Sequence, residues 1–272
     1  MGRRKKEFGV CKICGYSGQL SFEHVPPNKA FNHQRHYYQI EFDKLIEIED
    51  DFLDLSMGQI YEKGHSKKKQ GGIGFYSLCE KCNNDTGSWY GHAFVSWAWQ
   101  GMSILQKANG RPSLYYPTFF YPLRTIKQIV TMFFSVNPDV FREAEPELVK
   151  FVKNKESRFL SKKYRLFCYY NIQGNKRYIG YSVLAQIDSG KMNRMSEITF
   201  PPFGFVLTID SEPPDDRLTE ITHFANYSYN DWTDHYQKFS TLPTYLPNLP
   251  GDYRTREEIK KGIDDSKKYM NR

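Results

Sequence analysis

The sequence predicts an α+β fold in which a short cysteine-bearing stretch of strands and one helix is followed by a longer region of helices and then antiparallel sheet. Three observations carry that expectation. Two Cys-x-x-Cys pairs, Cys11 with Cys14 and Cys79 with Cys82, bracket the first part of the chain. Apolar residues then recur at steps of three or four, at Tyr90, Phe94, Trp97, Gly101 and Leu105, as on one face of a helix. Beyond Tyr164 the pattern shortens, and Tyr164 to Ile172, Lys176 to Ala185 and Phe203 to Ile209 read as strands.

Taken in order, residues 1 to 8 are a basic lead-in that opens on no apolar signal core. Cys11-Lys12-Ile13-Cys14-Gly15 is a tight knuckle in which the glycine suits the turn. Gln19 to His24 follows as a short strand, stopped by Pro26 and Pro27 because proline cannot donate to a ladder. Residues 28 to 69 form a long insertion of mixed charge, with one helix expected over Glu41 to Leu55. Gln70 to Gly74 is a glycine-rich turn, and Phe75 to Leu78 is a strand feeding the second knuckle. The helix after Cys82 should stop near Asn109-Gly110.

Arg111 to Pro122, rich in proline and aromatics, is the expected linker, dividing the chain into residues 1–110 and 111–272. Leu123, Ile126, Val130, Phe133 and Phe134 mark a second helix, and Asn137-Pro138 caps a third that Pro146 divides. The strands Tyr164 to Ile172 and Lys176 to Ala185 are expected to flank a Gly174-Asn175 turn. From Pro243 a proline-bearing tail leads to a charged helical end.

The chain of 272 residues, with 20 Tyr and 20 Phe, can bury a core without disulfides. No apolar run approaches the roughly 18 residues of a membrane span, so the expectation is a cytoplasmic protein without a membrane partner. In a reducing compartment, paired Cys-x-x-Cys turns indicate a structural Zn²⁺ held by Cys11, Cys14, Cys79 and Cys82. That metal would staple segments distant in sequence. Cys168, on an expected strand, is assigned to the core, as are Trp89, Trp97 and Trp99. The 38 Lys and Arg against 31 Asp and Glu leave a charge of +7, which favours a polyanionic partner.

Between the knuckles lies Ser21-Phe22-Glu23-His24-Val25-Pro26-Pro27, and Cys82-Asn83-Asn84-Asp85-Thr86-Gly87 opens the helix. This order resembles the HNH endonuclease family with its ββα-metal fold, over about residues 9 to 105. In plan it is also similar to resolvases of the endonuclease VII type, where Asn follows the last zinc cysteine. The resemblance implies a metal-dependent endonuclease that hydrolyses phosphodiester bonds, in DNA more than RNA. His24 would be the general base, and Glu23 and Asn83 the ligands of a catalytic Mg²⁺ or Mn²⁺. It further implies a role in defence against phage or mobile DNA. Residues 111–272, which the resemblance does not cover, would recognise substrate, partner or signal, with a partner protein or a homodimer as the further candidates for assembly. The residue chemistry agrees: imidazole titrates near neutral pH, and Glu and Asn offer the hard oxygens that such cations take.

Three positions depart from the family pattern. Glu23 stands where Asp is commoner, and Asn83 where many members have His. Gly74 falls near the central Asn that braces the loop, so that Asn28, Asn32 or His65 would have to stand in. Asn83 is as suited to capping the helix as to binding a cation, and His92 suits a surface or packing role. Lys67, Lys68 and Lys69, with Arg3, Arg4, Lys5 and Lys6, are candidates for phosphate contact. Two alternatives remain open on the sequence: a zinc-containing nucleic-acid binder that does not cut, and a protein-interaction module scaffolded by the knuckles.

Overall fold

The computed structural model describes residues 7–40, 44, 47–48, 55–174, 176–186, 191–246 and 249–270. The helix expected over Glu41 to Leu55 falls largely outside these residues, and Arg3, Arg4, Lys5 and Lys6 fall wholly outside them. The fold is α+β. Near the amino end, β1 (Glu7–Val10), β2 (Ser17–His24) and β5 (Gly74–Cys79) form a three-stranded antiparallel sheet in the order β1-β2-β5. Within the insertion, β3 (His36–Gln39) pairs with β4 (Lys67–Gln70), with α1 (Met57–Lys63) between them. Ser56 caps α1, exchanging hydrogen bonds with Gln59 in a capping box.

The second knuckle leads directly into helix: α2 (Glu80–Thr86), a π-helical turn at Gly87–Gly91, and α3 (His92–Leu105). Asn109 and Gly110 follow with positive φ, as the sequence predicts for the stop. α4 (Pro122–Val136) opens with Pro at its first position and is buried on nearly every side. Its polar residues Thr125, Lys127, Gln128, Thr131 and Ser135 are buried along with its apolar ones, which places α4 at the centre of the fold. Pro146 separates α5 (Val140–Ala144) from α6 (Pro146–Lys153). Buried Lys127 of α4 donates to the carbonyls of Phe151 and Asn154 at 2.5 and 2.6 Å, satisfying the exposed end of α6.

The segment expected as a linker is instead a strand, β6 (Ser113–Phe120), paired in antiparallel register with β12 (Thr233–Thr244) over Ser113 to Phe120. Its alternating Leu114, Thr118 and Phe120 are buried, which commits it to a sheet. The large sheet runs β6-β12-β7-β10-β9-β8, with β7 (Tyr164–Gly174), β8 (Arg177–Gln186), β9 (Lys191–Phe200) and β10 (Phe203–Ile209); β11 (Thr219–Glu220) pairs with β7. The strands flanking Gly174 exist, but β7 and β8 do not pair with one another: β7 takes β10 and β8 takes β9. Every residue of β10 is buried, and placing it between β7 and β9 covers both its edges. The sheet is not wholly antiparallel either, since β12 runs parallel to β7 from Thr241 to Thr244.

One hydrophobic cluster spans the expected boundary at residue 111. It joins Leu20, Leu78, Phe94 and Trp97 to Phe120, Ile126, Phe133, Phe203 and Phe205. Trp97 stacks on Phe203 with ring centroids 4.1 Å apart. Cys168 is fully buried, but Trp99 is 53 % exposed and is no core residue. The chain ends in α7 (Arg256–Met270), the charged helix the sequence predicts. Among the described residues no helix is long and apolar enough to cross a membrane.

Candidate functional site

The two knuckles meet. The sulfurs of Cys11, Cys14, Cys79 and Cys82 all lie within 4.8 Å of one another, with Cys14 and Cys79 Sγ 3.7 Å apart. Zn–S bonds of about 2.3 Å place tetrahedral sulfurs about 3.8 Å apart, so four thiols at this spacing can bind one ion such as zinc. Crowding splits their acidities: a hydrogen bond from Cys82 holds Cys11 down to about 4, and the same contact together with burial raises Cys82. Cys79 Sγ also accepts from the Cys82 N–H and so caps α2. The first knuckle is docked on the later chain, where Lys12 Nζ donates to the Ser135 and Asn137 carbonyls at the end of α4.

β2 runs from this cluster to its last two residues, Glu23 and His24. Successive strand residues face opposite ways, and the two side chains diverge accordingly. Glu23 is buried, and the Ser135 hydroxyl donates to its Oε2. Ser77 Oγ lies 3.4 Å from the same oxygen. Burial pushes the Glu23 carboxyl up to about 7, against the opposing effect of these hydroxyls. His24 is half-buried, its ring edge-on to Phe22 at 5.0 Å. Asn83 is not the cap of α2. Its Nδ2 instead donates to Ser21 Oγ at 3.0 Å and to the Phe22 carbonyl at 3.3 Å, tying the helix to β2.

Glu23, His24 and Asn83 nevertheless line one cleft of about 340 Å³, together with Asn28, Lys29, His92 and Gln128. Both hydroxyl contacts to Glu23 use Oε2, and both Asn83 contacts use Nδ2. The Glu23 Oε1 and Asn83 Oδ1 oxygens take part in neither set, and carboxylate and amide oxygens are donors that a hard divalent cation accepts.

The loop after His24 is braced by Asn32, which is fully buried. Its Nδ2 donates to the Pro26 carbonyl at 2.8 Å and the Ile73 carbonyl at 2.7 Å, and its Oδ1 accepts from the Ile73 N–H at 2.8 Å. Of the three residues the sequence offers for this task, Asn32 alone ties the loop to the strand opposite; Asn28 Nδ2 reaches only the Asn32 carbonyl, and His65 is exposed. Gly74 sits opposite His24 in the ladder, where a Cβ would come 2.2 Å from the Glu23 carbonyl oxygen. No side chain fits at that position, so the brace comes from elsewhere in the sequence. Tyr178 on β8 adds a further hold, its hydroxyl donating to the Val25 carbonyl at 2.7 Å.

Replacing Asn32 with Ala removes three hydrogen bonds, among them the buried one to the Pro26 carbonyl and the one the Ile73 N–H donates; the Ile73 carbonyl keeps the Val25 N–H. We expect a loss of about 2–4 kcal/mol in urea unfolding, with zinc content unchanged because no cysteine is touched. A change below about 0.5 kcal/mol, the range of ordinary surface substitutions, would show that the loop is held by other means.

Lys67, Lys68 and Lys69 lie on exposed β4, paired with β3, and are not among the residues lining the cleft. The sequence does not point to Ser77 and Ser135 on Glu23 or to Lys29 and Gln128 in the cleft, and His92, for which it suggests a surface or packing role, lines the cleft as well. One signal was available. Gly87 and Gly91, four apart on a helical segment, share a face and both line the cleft, leaving that face bare between Asn83 and His92. Ser135 and Gln128 had no local signal, because their proximity to β2 is a product of the tertiary fold. Compared with models of known families, with curated proteins and with solved structures, the chain matches none.

Proposed function

We propose that the cleft is the active site of a divalent-cation-dependent endonuclease of the HNH, ββα-metal type, with DNA as its principal substrate. The observation that carries this reading is the convergence of Glu23, His24 and Asn83 on one cleft beside the four-cysteine cluster. In this reading β2, β5 and α2 are the two strands and helix of the ββα unit, and residues 25–73 are an insertion within it.

His24 takes a proton from the attacking water, a task suited to a half-buried imidazole lining the cleft. Glu23 and Asn83 would hold the cation through their oxygens. Bound there, Mg²⁺ or Mn²⁺ supplies charge stabilisation on the phosphate and the leaving oxygen. Asn32 and Gly74 keep the His24 loop against β5, and the cysteine cluster fixes α2, hence Asn83, relative to β2. Lys29 contributes positive charge, and Lys29 and His92 contribute donors, to the substrate backbone.

The test is incubation of zinc-loaded wild-type protein with supercoiled plasmid DNA, and in parallel with RNA, in Mg²⁺, Mn²⁺ or EDTA. Nicking or linearisation of the plasmid with divalent cation, and none with EDTA, is the expected result. Protein that carries zinc and binds DNA equally well with and without Mg²⁺, but cuts neither nucleic acid, would replace this reading with that of a non-catalytic binder.

A further inference from the structure

We propose that Gln128 is a nucleotide-contacting residue of the cleft, accepting a hydrogen bond from a donor group on the bound nucleic acid. This rests on the reading of the cleft as a nucleic-acid site. Gln128 lies on α4, in the half of the chain that carries neither knuckle, and it lines the cleft with Asn83, Lys29 and His92. The residue is only 2 % exposed, and no donor among the described residues reaches its buried Oε1. Of the other buried polar side chains on α4, Lys127, Thr131 and Ser135 bond protein partners, while Thr125 Oγ1, which does not line the cleft, has none among the described residues. The Gly91 backbone runs beside Oε1, and a Cβ built at Gly91 would stand 3.9 Å from that oxygen.

A desolvated acceptor with no partner opposes folding. Its retention at a cleft wall is explained when a ligand supplies the missing donor. The chemistry of that donor is restricted. A phosphodiester at neutral pH has none, so the acceptor is not a phosphate contact. On a nucleic-acid strand the remaining donors are the ribose 2′-hydroxyl and the amino and ring N–H groups of the bases. Gln128 therefore reads the nucleotide, while Lys29 and His92 meet its backbone. The later half of the chain thus completes the recognition surface.

The experiment compares His24→Ala with His24→Ala/Gln128→Met, both full-length and zinc-loaded, so that binding is measured without turnover. Fluorescence anisotropy is recorded with DNA and RNA oligonucleotides of one sequence, and thermal unfolding is followed without nucleic acid. We expect binding to weaken about tenfold while the melting temperature rises by about 2–4 °C, because the orphan acceptor is gone. Loss confined to RNA assigns the ribose hydroxyl; equal loss on DNA and RNA assigns an N–H donor of a base. Unchanged affinity for both overturns the proposal, as does a fall in melting temperature accompanying weaker binding, which marks a packing role. If the His24→Ala protein binds neither oligonucleotide, the proposal falls, and uncut plasmid in the wild-type assay then removes the nuclease reading too. Cleavage by wild type with binding indifferent to Gln128 removes this proposal alone.

Discussion

His24→Ala is expected to lower cation-dependent cleavage by about 10²–10⁴-fold, the usual contribution of a positioned general base, without altering zinc content or unfolding. The separation of chemistry from stability follows from where His24 sits. Its ring lies edge-on to Phe22 and is half-buried, whereas its backbone carries the ladder contact to Gly74. Alanine keeps the backbone and removes the imidazole. The cleft keeps Glu23 and Asn83, so cation affinity should be nearly unaffected. Rates are read from plasmid nicking under saturating Mg²⁺, beside metal analysis and a urea transition for both proteins. Wild-type rates in a folded, zinc-loaded His24→Ala protein would move the base elsewhere, with His92 in the same cleft the next residue to replace.

Cys79→Ser is expected to produce the largest loss of stability. Serine is a good helix cap, so the hydroxyl can replace the sulfur that caps α2, and the substitution isolates the metal from the cap. Three thiols remain, and the shell around the ion is incomplete. Metal binding to the folded state alone contributes about 4 kcal/mol at a thousandfold excess over Kd. Its loss should lower the melting temperature by on the order of 10 °C in a chain of this size. Zinc content should fall from one ion per chain towards none, and chelation of wild type should reproduce the shift. Cleavage should be lost as well, since the cluster sets α2, and with it Asn83, against β2. An unchanged melting temperature with one zinc retained would mean that three thiols and a further ligand suffice.

The elements legible in the sequence are those set by local chemistry. The proline brake after β2, the Pro at the start of α4, the break at Pro146 and the positive-φ stop at Asn109-Gly110 all depend on residues within a turn of one another. Paired cysteines are legible for the same reason, since each knuckle presents two ligands from one turn. The cleft was legible in its three named residues but not in their orientations. Alternation along β2 sends Glu23 inward to Ser77 and Ser135, and a bulge in its pairing with β5 between Ser21 and Phe22 adjusts the register just before them.

The segment expected as a linker shows the limit of composition. Proline and aromatics suggested a connector, yet β12 supplies an antiparallel partner more than a hundred residues later, and the buried side of β6 closes over Phe224 and Trp97. The hairpin expected around Gly174 failed for a related reason. A turn signal makes a hairpin available, but burial of both faces of β10 decided which strands became neighbours.

The sequence by itself therefore determined that the chain is α+β, that two cysteine pairs suited to one metal ion frame its first part, and which residues stand beside them. Local dihedral preferences, side-chain period and ligand spacing are enough for those conclusions. Only the tertiary structure decided that one core runs across residue 111, that Asn32 braces the loop, and that α4 brings Ser135 to Glu23 and Gln128 to the cleft. Those contacts join residues far apart along the chain, and their partners are selected by what the whole fold can bury and hydrogen-bond at once, a condition that no local window of sequence contains.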